Sequence, residues 1–288
     1  MDHLTLNAAG DKLFIAALAN NTVEVVDVKN GSHLRSLPGF REPQGVGSVP
    51  DRSLIAVANG AGEGLQLIDA NDFHSIAAVR LGDDSDNARY DASAKRLYVG
   101  YGSGALAAVD PASGKVSGIV KLAAHPESFQ LEREGTRIFV NVPNAGQIAI
   151  VDRVAMKVTA TWPVTSARAN YPMTLDEAGH RLFIGCRQPA MVLAYDLTTG
   201  KEIGQTDVVG DTDDMFFDTQ RKRLYVAGGE GFIDVLDAAS ATPKRLARIA
   251  TAAGARTGLW SQQQGRFYLA VPHRGSQRAE IRVFEARD

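Results

Sequence analysis

Apolar residues in this chain come in short runs separated by turn-forming residues, and one run recurs at a fixed phase. It begins on a basic or polar residue, continues through three apolar or aromatic positions and usually ends on a small one. Seven copies stand as Lys12-Leu13-Phe14-Ile15-Ala16, Ser53-Leu54-Ile55-Ala56-Val57, Arg96-Leu97-Tyr98-Val99-Gly100, Arg137-Ile138-Phe139-Val140-Asn141, Arg181-Leu182-Phe183-Ile184-Gly185, Arg223-Leu224-Tyr225-Val226-Ala227 and Arg266-Phe267-Tyr268-Leu269-Ala270. Their second residues are spaced by 41, 43, 41, 44, 42 and 43 positions. A further run follows each copy and ends in an acid: Val26-Asp27, Ile68-Asp69, Val109-Asp110, Val151-Asp152, Tyr195-Asp196, Leu236-Asp237 and Phe284-Glu285. Two anchors sharing one period mark the repetition of a single supersecondary unit. No segment carries apolar residues at helical period for long enough to compete.

Each period reads as four short strands. The third repeat predicts strands over Asn87 to Tyr90, Arg96 to Gly100, Ala105 to Val109 and Val116 to Leu122. The segments between them, such as Asp110-Pro111-Ala112-Ser113-Gly114, open on Asp or Asn and close on Gly, which supplies a side-chain acceptor and then a position with positive φ. The acid that closes each third strand is therefore expected to be a turn residue rather than a catalytic one. Four strands every 41 to 44 residues predict an all-β, seven-bladed β-propeller with four-stranded antiparallel blades, formed as a single domain over residues 1–288.

The Arg-Leu-Tyr-Val type of second strand, as in Arg96 to Val99 and Arg223 to Val226, followed by the Val-Asp type of third strand, resembles the YVTN-family (YncE-like, surface-layer-type) propeller repeat across essentially the whole chain. No recurring Trp-Asp or Gly-His pair points to a WD40 protein. The resemblance implies seven blades and an exported protein, periplasmic or extracellular. It implies no particular reaction, because members of that family share none.

The two chain ends qualify the blade count. Asp2 to Leu6 occupies the phase of an innermost strand, whereas Glu280 to Phe284 is a third strand that stops three residues after Glu285. Blade 7 is thus expected to lack its outer strand in this chain. Either the last blade has three strands, or a longer N-terminus carries an export signal and the missing strand. The second is the expectation, since an open edge recruits other strands.

Composition removes several function classes. With a net charge of −2 and no basic stripe, the chain is not expected to bind nucleic acid; Arg221-Lys222-Arg223 falls in a turn. No run is long and apolar enough for a transmembrane segment, and Met1 to Leu6 reads as no signal peptide. Cys186 is the only cysteine, so no internal disulfide can form, and its place at the end of an apolar strand predicts a small, semi-buried hydrophobe. The glycine-rich stretches Asn59 to Gly64 and Gly228 to Gly231 open no helix and read as hairpin loops. His125-Pro126-Glu127 has the His-x-Glu spacing of zinc deaminases without their cysteine motif, and no serine sits in Gly-x-Ser-x-Gly.

Function is expected on the loops that lead into the innermost strands or join second to third strands, which share one rim. The lead-in residues at a fixed phase are Asp2-His3, Gly45-Val46 after Gln44, Asp86-Asn87, Glu127-Ser128, Tyr171-Pro172 after Asn170, Asp213-Asp214 and Arg256-Thr257. The second loop set contributes Arg187, Glu230 and His273, and adjacency of first and last repeats would let His273 approach His3. Asp2, His3, Gln44, Asp86, Asn87, Glu127, Asn170, Asp213, Asp214, Arg256 and His273 are the candidate ligand-binding residues. Trp260 reads as core; His33, His74 and His180 fall at the opposite rim as surface residues.

Two functions fit this set. One is a scaffold binding a small molecule or protein through its polar rim, with no cofactor required. The other is a metal-dependent hydrolase with a divalent cation held by Asp86, Asn87, Glu127 or Asp214, since hard cations take oxygen ligands of this kind. That mix is similar to the one in lactonases of the six-bladed propeller type, from which the present chain departs in blade number.

Overall fold

The computed structural model describes residues 1–62 and 64–287; Glu63, within the first glycine-rich stretch, lies outside the described residues. It contains seven antiparallel sheets, the blades of a β-propeller, six of four strands and one of three. Among the described residues there are 27 strands. Blade 1 comprises β1 (Leu4–Leu6), β2 (Lys12–Ala17), β3 (Thr22–Asp27) and β4 (His33–Leu37). Blade 2 comprises β5 (Pro43–Val49), β6 (Leu54–Asn59), β7 (Gly64–Asp69) and β8 (Ser75–Arg80), and blade 3 β9 (Ala88–Asp91), β10 (Arg96–Tyr101), β11 (Ala105–Asp110) and β12 (Lys115–Lys121). Blade 4 follows with β13 (Phe129–Leu131), β14 (Arg137–Val142), β15 (Gln147–Asp152) and β16 (Lys157–Pro163). Blade 5 holds β17 (Arg168–Asp176), β18 (Arg181–Gln188), β19 (Ala190–Asp196) and β20 (Glu202–Asp207). Blade 6 holds β21 (Thr212–Asp218), β22 (Arg223–Gly228), β23 (Phe232–Asp237) and β24 (Lys244–Ala250). Blade 7 has only β25 (Thr257–Ser261), β26 (Arg266–Val271) and β27 (Glu280–Glu285), as the repeat count predicts. No helix is long and apolar enough to cross a membrane.

The chain divides into two compact units, Met1–Pro126 with Val151–Val158, and Glu127–Ile150 with Thr159–Asp288. In both, burial falls from the middle of a blade outward. The second strands are almost wholly buried, whereas β4, β8, β12, β16 and β24 are mostly exposed. Strand side chains alternate between faces, so a middle strand with a sheet on each side is largely apolar on both faces.

The division is visible residue by residue. In the first unit, Ile55 and Val57 of β6 pack with Phe14, Val23 and Val25 of blade 1, while Leu54, Ala56 and Ala58 pack with Leu97, Val99 and Ala107 of blade 3. In the second, Leu182, Ile184 and Cys186 of β18 join Phe139 and Ile148 of blade 4, and Phe183 joins Leu224 and Val226 of blade 6. Tyr225 and Ala227 turn the other way, onto Trp260 and Phe267 of blade 7. Cys186 is thus core, and burial pushes its thiol up to about 12.

The acids that end the third strands are turn residues, as their position predicts. Asp27 accepts the backbone N–H groups of Lys29 and Asn30, Asp69 those of Asn71 and Asp72, Asp152 those of Val154 and Ala155, and Asp196 those of Thr198 and Thr199. Blade 7 departs from this rule: Glu285 instead takes Arg266 at 2.8 Å. One middle-strand acid serves differently. Asp234 on β23 has a fully buried side chain and accepts the Val209 N–H at 2.7 Å and two bonds from Arg248 at 2.7 and 2.8 Å, with Arg245 at 3.2 Å.

Two substitutions test these constraints. A Cβ at Gly45 on β5 would lie 1.8 Å from the Asp86 carbonyl oxygen, so Gly45→Ala is expected to cost about 1–3 kcal/mol through forced separation of blades 2 and 3. Asp234→Ala leaves two guanidinium groups and a buried N–H without their acceptor and is expected to cost about 2–4 kcal/mol. Urea unfolding of each variant reads both; wild-type midpoints would contradict them.

Candidate functional site

The loops leading into the inner strands share a backbone device. Asp84, Ala169, Asp211 and Gly254 all have positive φ, between 54° and 80°, and each lies two residues before a lead-in position. Aspartate and glycine tolerate that conformation, and it redirects the chain from the outer strand of one blade into the next. The residues just beyond it are thereby held at the loop face.

In the first unit this brings together Asp2, His3, Asp86 and Asn87. The His3 backbone N–H donates to the Gln44 carbonyl at 3.3 Å, which ties blade 1 to blade 2. The His3 Nε2 lies 3.7 Å from an Asp86 carboxylate oxygen and 4.0 Å from one of Asp2. The Asn87 amide donates to the other Asp86 oxygen at 3.1 Å. A second histidine stands nearby: His125 Nδ1 lies 2.6 Å from the Gly102 carbonyl and 3.2 Å from Asp84.

Asp86 is only 6% exposed. Burial pushes its carboxyl above the usual carboxylate range; His3, His125 and the Asn87 amide oppose that shift, and Asp84 reinforces it. Its titratable neighbours are thus two histidines and a second acid.

The second unit presents a different balance. Asp213 accepts Arg187 Nη2 at 2.6 Å and Arg256 Nε at 2.9 Å, and Arg256 also reaches Asp211 at 3.0 Å. The Arg187 guanidinium lies over the Tyr171 ring at 3.7 Å from its centroid and donates to the Thr212 carbonyl at 2.8 Å. Two arginines and two aspartates therefore neutralise one another in a preorganised frame. Asp214 is tied down too, accepting the Gly258 N–H at 2.9 Å. Asn170 is fully buried and donates to Asn141 Oδ1 at 2.8 Å and to the Gln147 carbonyl at 3.2 Å, while Asn141 donates to the Tyr171 and Pro172 carbonyls. Glu127 is held through its backbone N–H to Asn141, and His273 is exposed beside the Arg274–Gln277 bridge.

Asp86 and Asn87 thus belong to one unit, Glu127 and Asp214 to the other. Among the described residues, one trio of possible ligand atoms lies within 4.8 Å of one another, Asp69, Asp72 and His74 on an exposed turn of blade 2. The same oxygens already hold that turn, Asp69 to the Asn71 and Asp72 N–H groups and Asp72 to the His74 N–H and ring.

Sequence reasoning passed over Asp84 and Asp211 and weighed His125 only for its His-x-Glu spacing. Each stands two residues before a lead-in pair, so continuing the strand alternation outward by one step would have found them.

No family model matches this chain, and no curated protein does. Solved structures do. A chain of the Kuenenia stuttgartiensis hydrazine synthase matches at 15% identity with a TM-score of 0.85, covering 99% of this chain and 95% of that one. The U3-55K structure matches at 9% identity and 0.85 over 98% and 94%, and a chain of a mitotic checkpoint complex at 13% and 0.82 over 99% and 87%. What they share with it is the propeller fold. Proteins so unlike one another leave function to be read from the site.

The electrostatics of Asp86 give a signed prediction. Its carboxyl is raised in the folded state, so its contribution to stability is full at acid pH and is lost as pH rises through the folded value. Asp86→Asn removes that titration while His3, His125, Asp84 and Asp2 remain. The variant is expected to gain thermal stability relative to wild type between acid and neutral pH. Parallel melting-temperature curves over that range would contradict it.

Proposed function

We propose that this protein is a ligand-binding propeller of the YVTN type, working outside the cytoplasm, whose loop face receives a positively charged group at Asp86. One observation carries the reading. A carboxylate that is 6% exposed, with histidines rather than Lys or Arg beside it, is desolvated without full compensation, and a cation entering there would supply what the protein does not. Asp2 and Asp84 extend the negative potential around it. The Arg187, Arg256, Asp211 and Asp213 frame, already neutralised internally, acts in this reading as a support for the loops. Location outside the cytoplasm rests on the family resemblance alone.

The juxtaposition of His3 and Asp86 favours a second reading, the metal-dependent hydrolase. A cation bound there would activate water, and a carboxyl with a raised pKa suits proton transfer at neutral pH.

Calorimetric titration with calcium, manganese and zinc chlorides and with putrescine tests the site. At least one is expected to bind saturably, with affinity reduced about tenfold or more in Asp86→Asn and unchanged in His74→Ala. Absence of binding, or loss in the His74 variant instead, contradicts it. Metal-dependent turnover of lactones or esters by the wild type, abolished in Asp86→Asn, would favour the hydrolase.

A further inference from the structure

At the opposite ends of the inner strands of blades 4, 5 and 6, within the second unit, lies a cleft of about 730 Å³. The repeat explains why it is there. Arg133, Glu177, Thr219 and Gln262 occupy one phase, four residues before the second strand begins at Arg137, Arg181, Arg223 and Arg266 in blades 4 to 7. Glu177 reaches back from blade 5 and accepts the Arg133 N–H on both carboxylate oxygens at 3.1 Å. Gln262 does the same from blade 7, accepting the Thr219 N–H at 3.0 Å. The residue that would bridge blade 6 to blade 5 is Thr219, whose side chain is too short for that reach. The cleft opens at this gap, with Glu177 and Thr219 both in its wall.

We propose that this cleft is a binding site, separate from the loop face, for an organic anion of small-metabolite size. The volume falls within the usual range for such ligands. Two acids of the wall are ion-paired, Glu132 with Arg137 and Asp176 with Arg181, while Glu177 directs its carboxylate at the Arg133 backbone N–H. Among the described residues, the Arg133 guanidinium and the Lys222 ammonium have no carboxylate within ion-pair reach, and the His180 imidazole lines the same wall. The Lys222 ammonium rests 5.6 Å from the Phe217 ring centroid, so its charge stays at the cleft while its stem is packed. Glu134 alone among the remaining wall residues offers an exposed carboxylate. Leu175, Leu197 and Phe217 give the ligand's carbon skeleton an apolar surface. Carboxylates and phosphates share the chemistry that Arg133, His180 and Lys222 would recognise, and the test separates them.

The test is calorimetric titration of the whole chain with citrate and, separately, fructose 1,6-bisphosphate. Saturable binding of either is expected, and the tighter probe assigns the carboxylate or phosphate class. The double variant Arg133→Ala, Lys222→Ala should weaken it about tenfold or more. Thr219→Gln, which gives blade 6 the bridging side chain used by blade 7, should abolish binding while preserving or raising the melting temperature, so a folding defect cannot imitate the result. Asp86→Asn should leave binding unchanged. Lack of saturable binding by both probes, or affinity that survives both the double variant and Thr219→Gln, overturns the proposal; loss in Asp86→Asn would do so as well.

Discussion

The contact on which the rest depends is the packing of one blade's middle strands against the next. A strand that is covered on both faces cannot keep the usual alternation of apolar and polar residues; its positions are apolar or small except where, as at Asn141 and Asp234, a buried polar side chain has hydrogen-bond partners. That is why β6 contributes Ile55 and Val57 to one neighbour and Leu54, Ala56 and Ala58 to the other, and why β18 and β22 divide in the same way. The principal buried clusters join blades rather than lying within one, so a single repeat of this sequence could not hide its apolar surface.

Once middle strands carry the core, the outer strands and turns are released from it. β12 and β24 expose most of their side chains, and the turns are stabilised locally by Asp oxygens on backbone N–H groups. Close approach has its own cost, visible at Gly45, where only the absence of a Cβ lets blade 2 lie against the Asp86 backbone. Packing of the inner strands thus also delivers Asp86 to its desolvated position: the geometry that brings the blades together leaves its carboxyl poorly compensated.

Charge is handled in contrasting ways at the loops. In the second unit Arg187 and Arg256 interlock with Asp211 and Asp213 over Tyr171, leaving little unbalanced potential. In the first, Asp86 has imidazoles rather than guanidinium or ammonium groups beside it. At the far strand ends a single shortened side chain, Thr219, interrupts a series of bridges and leaves cationic head groups lining a cleft. Small departures from the repeat, rather than the repeat itself, are what make one part of the molecule chemically different from another.

By itself the sequence determined the blade count, the three-stranded last blade, the turn role of the acids after the third strands and the burial of Cys186 and Trp260. These follow from periodicity and from local chemistry, because each depends on residues within a few positions of one another. It also put Asp2, His3, Asp86, Asn87, Asp213 and Arg256 before or at the start of innermost strands, where the chain has them. It did not distinguish Asp213, locked between two arginines, from Asp86, nor did it find Asp84, His125 or Asp211 beside them. The Asn170–Asn141 tie and the gap at Thr219 were equally hidden. Those distinctions rest on contacts between residues 26 to 45 positions apart, and which side chain meets which across two blades is decided only when the sheets are packed.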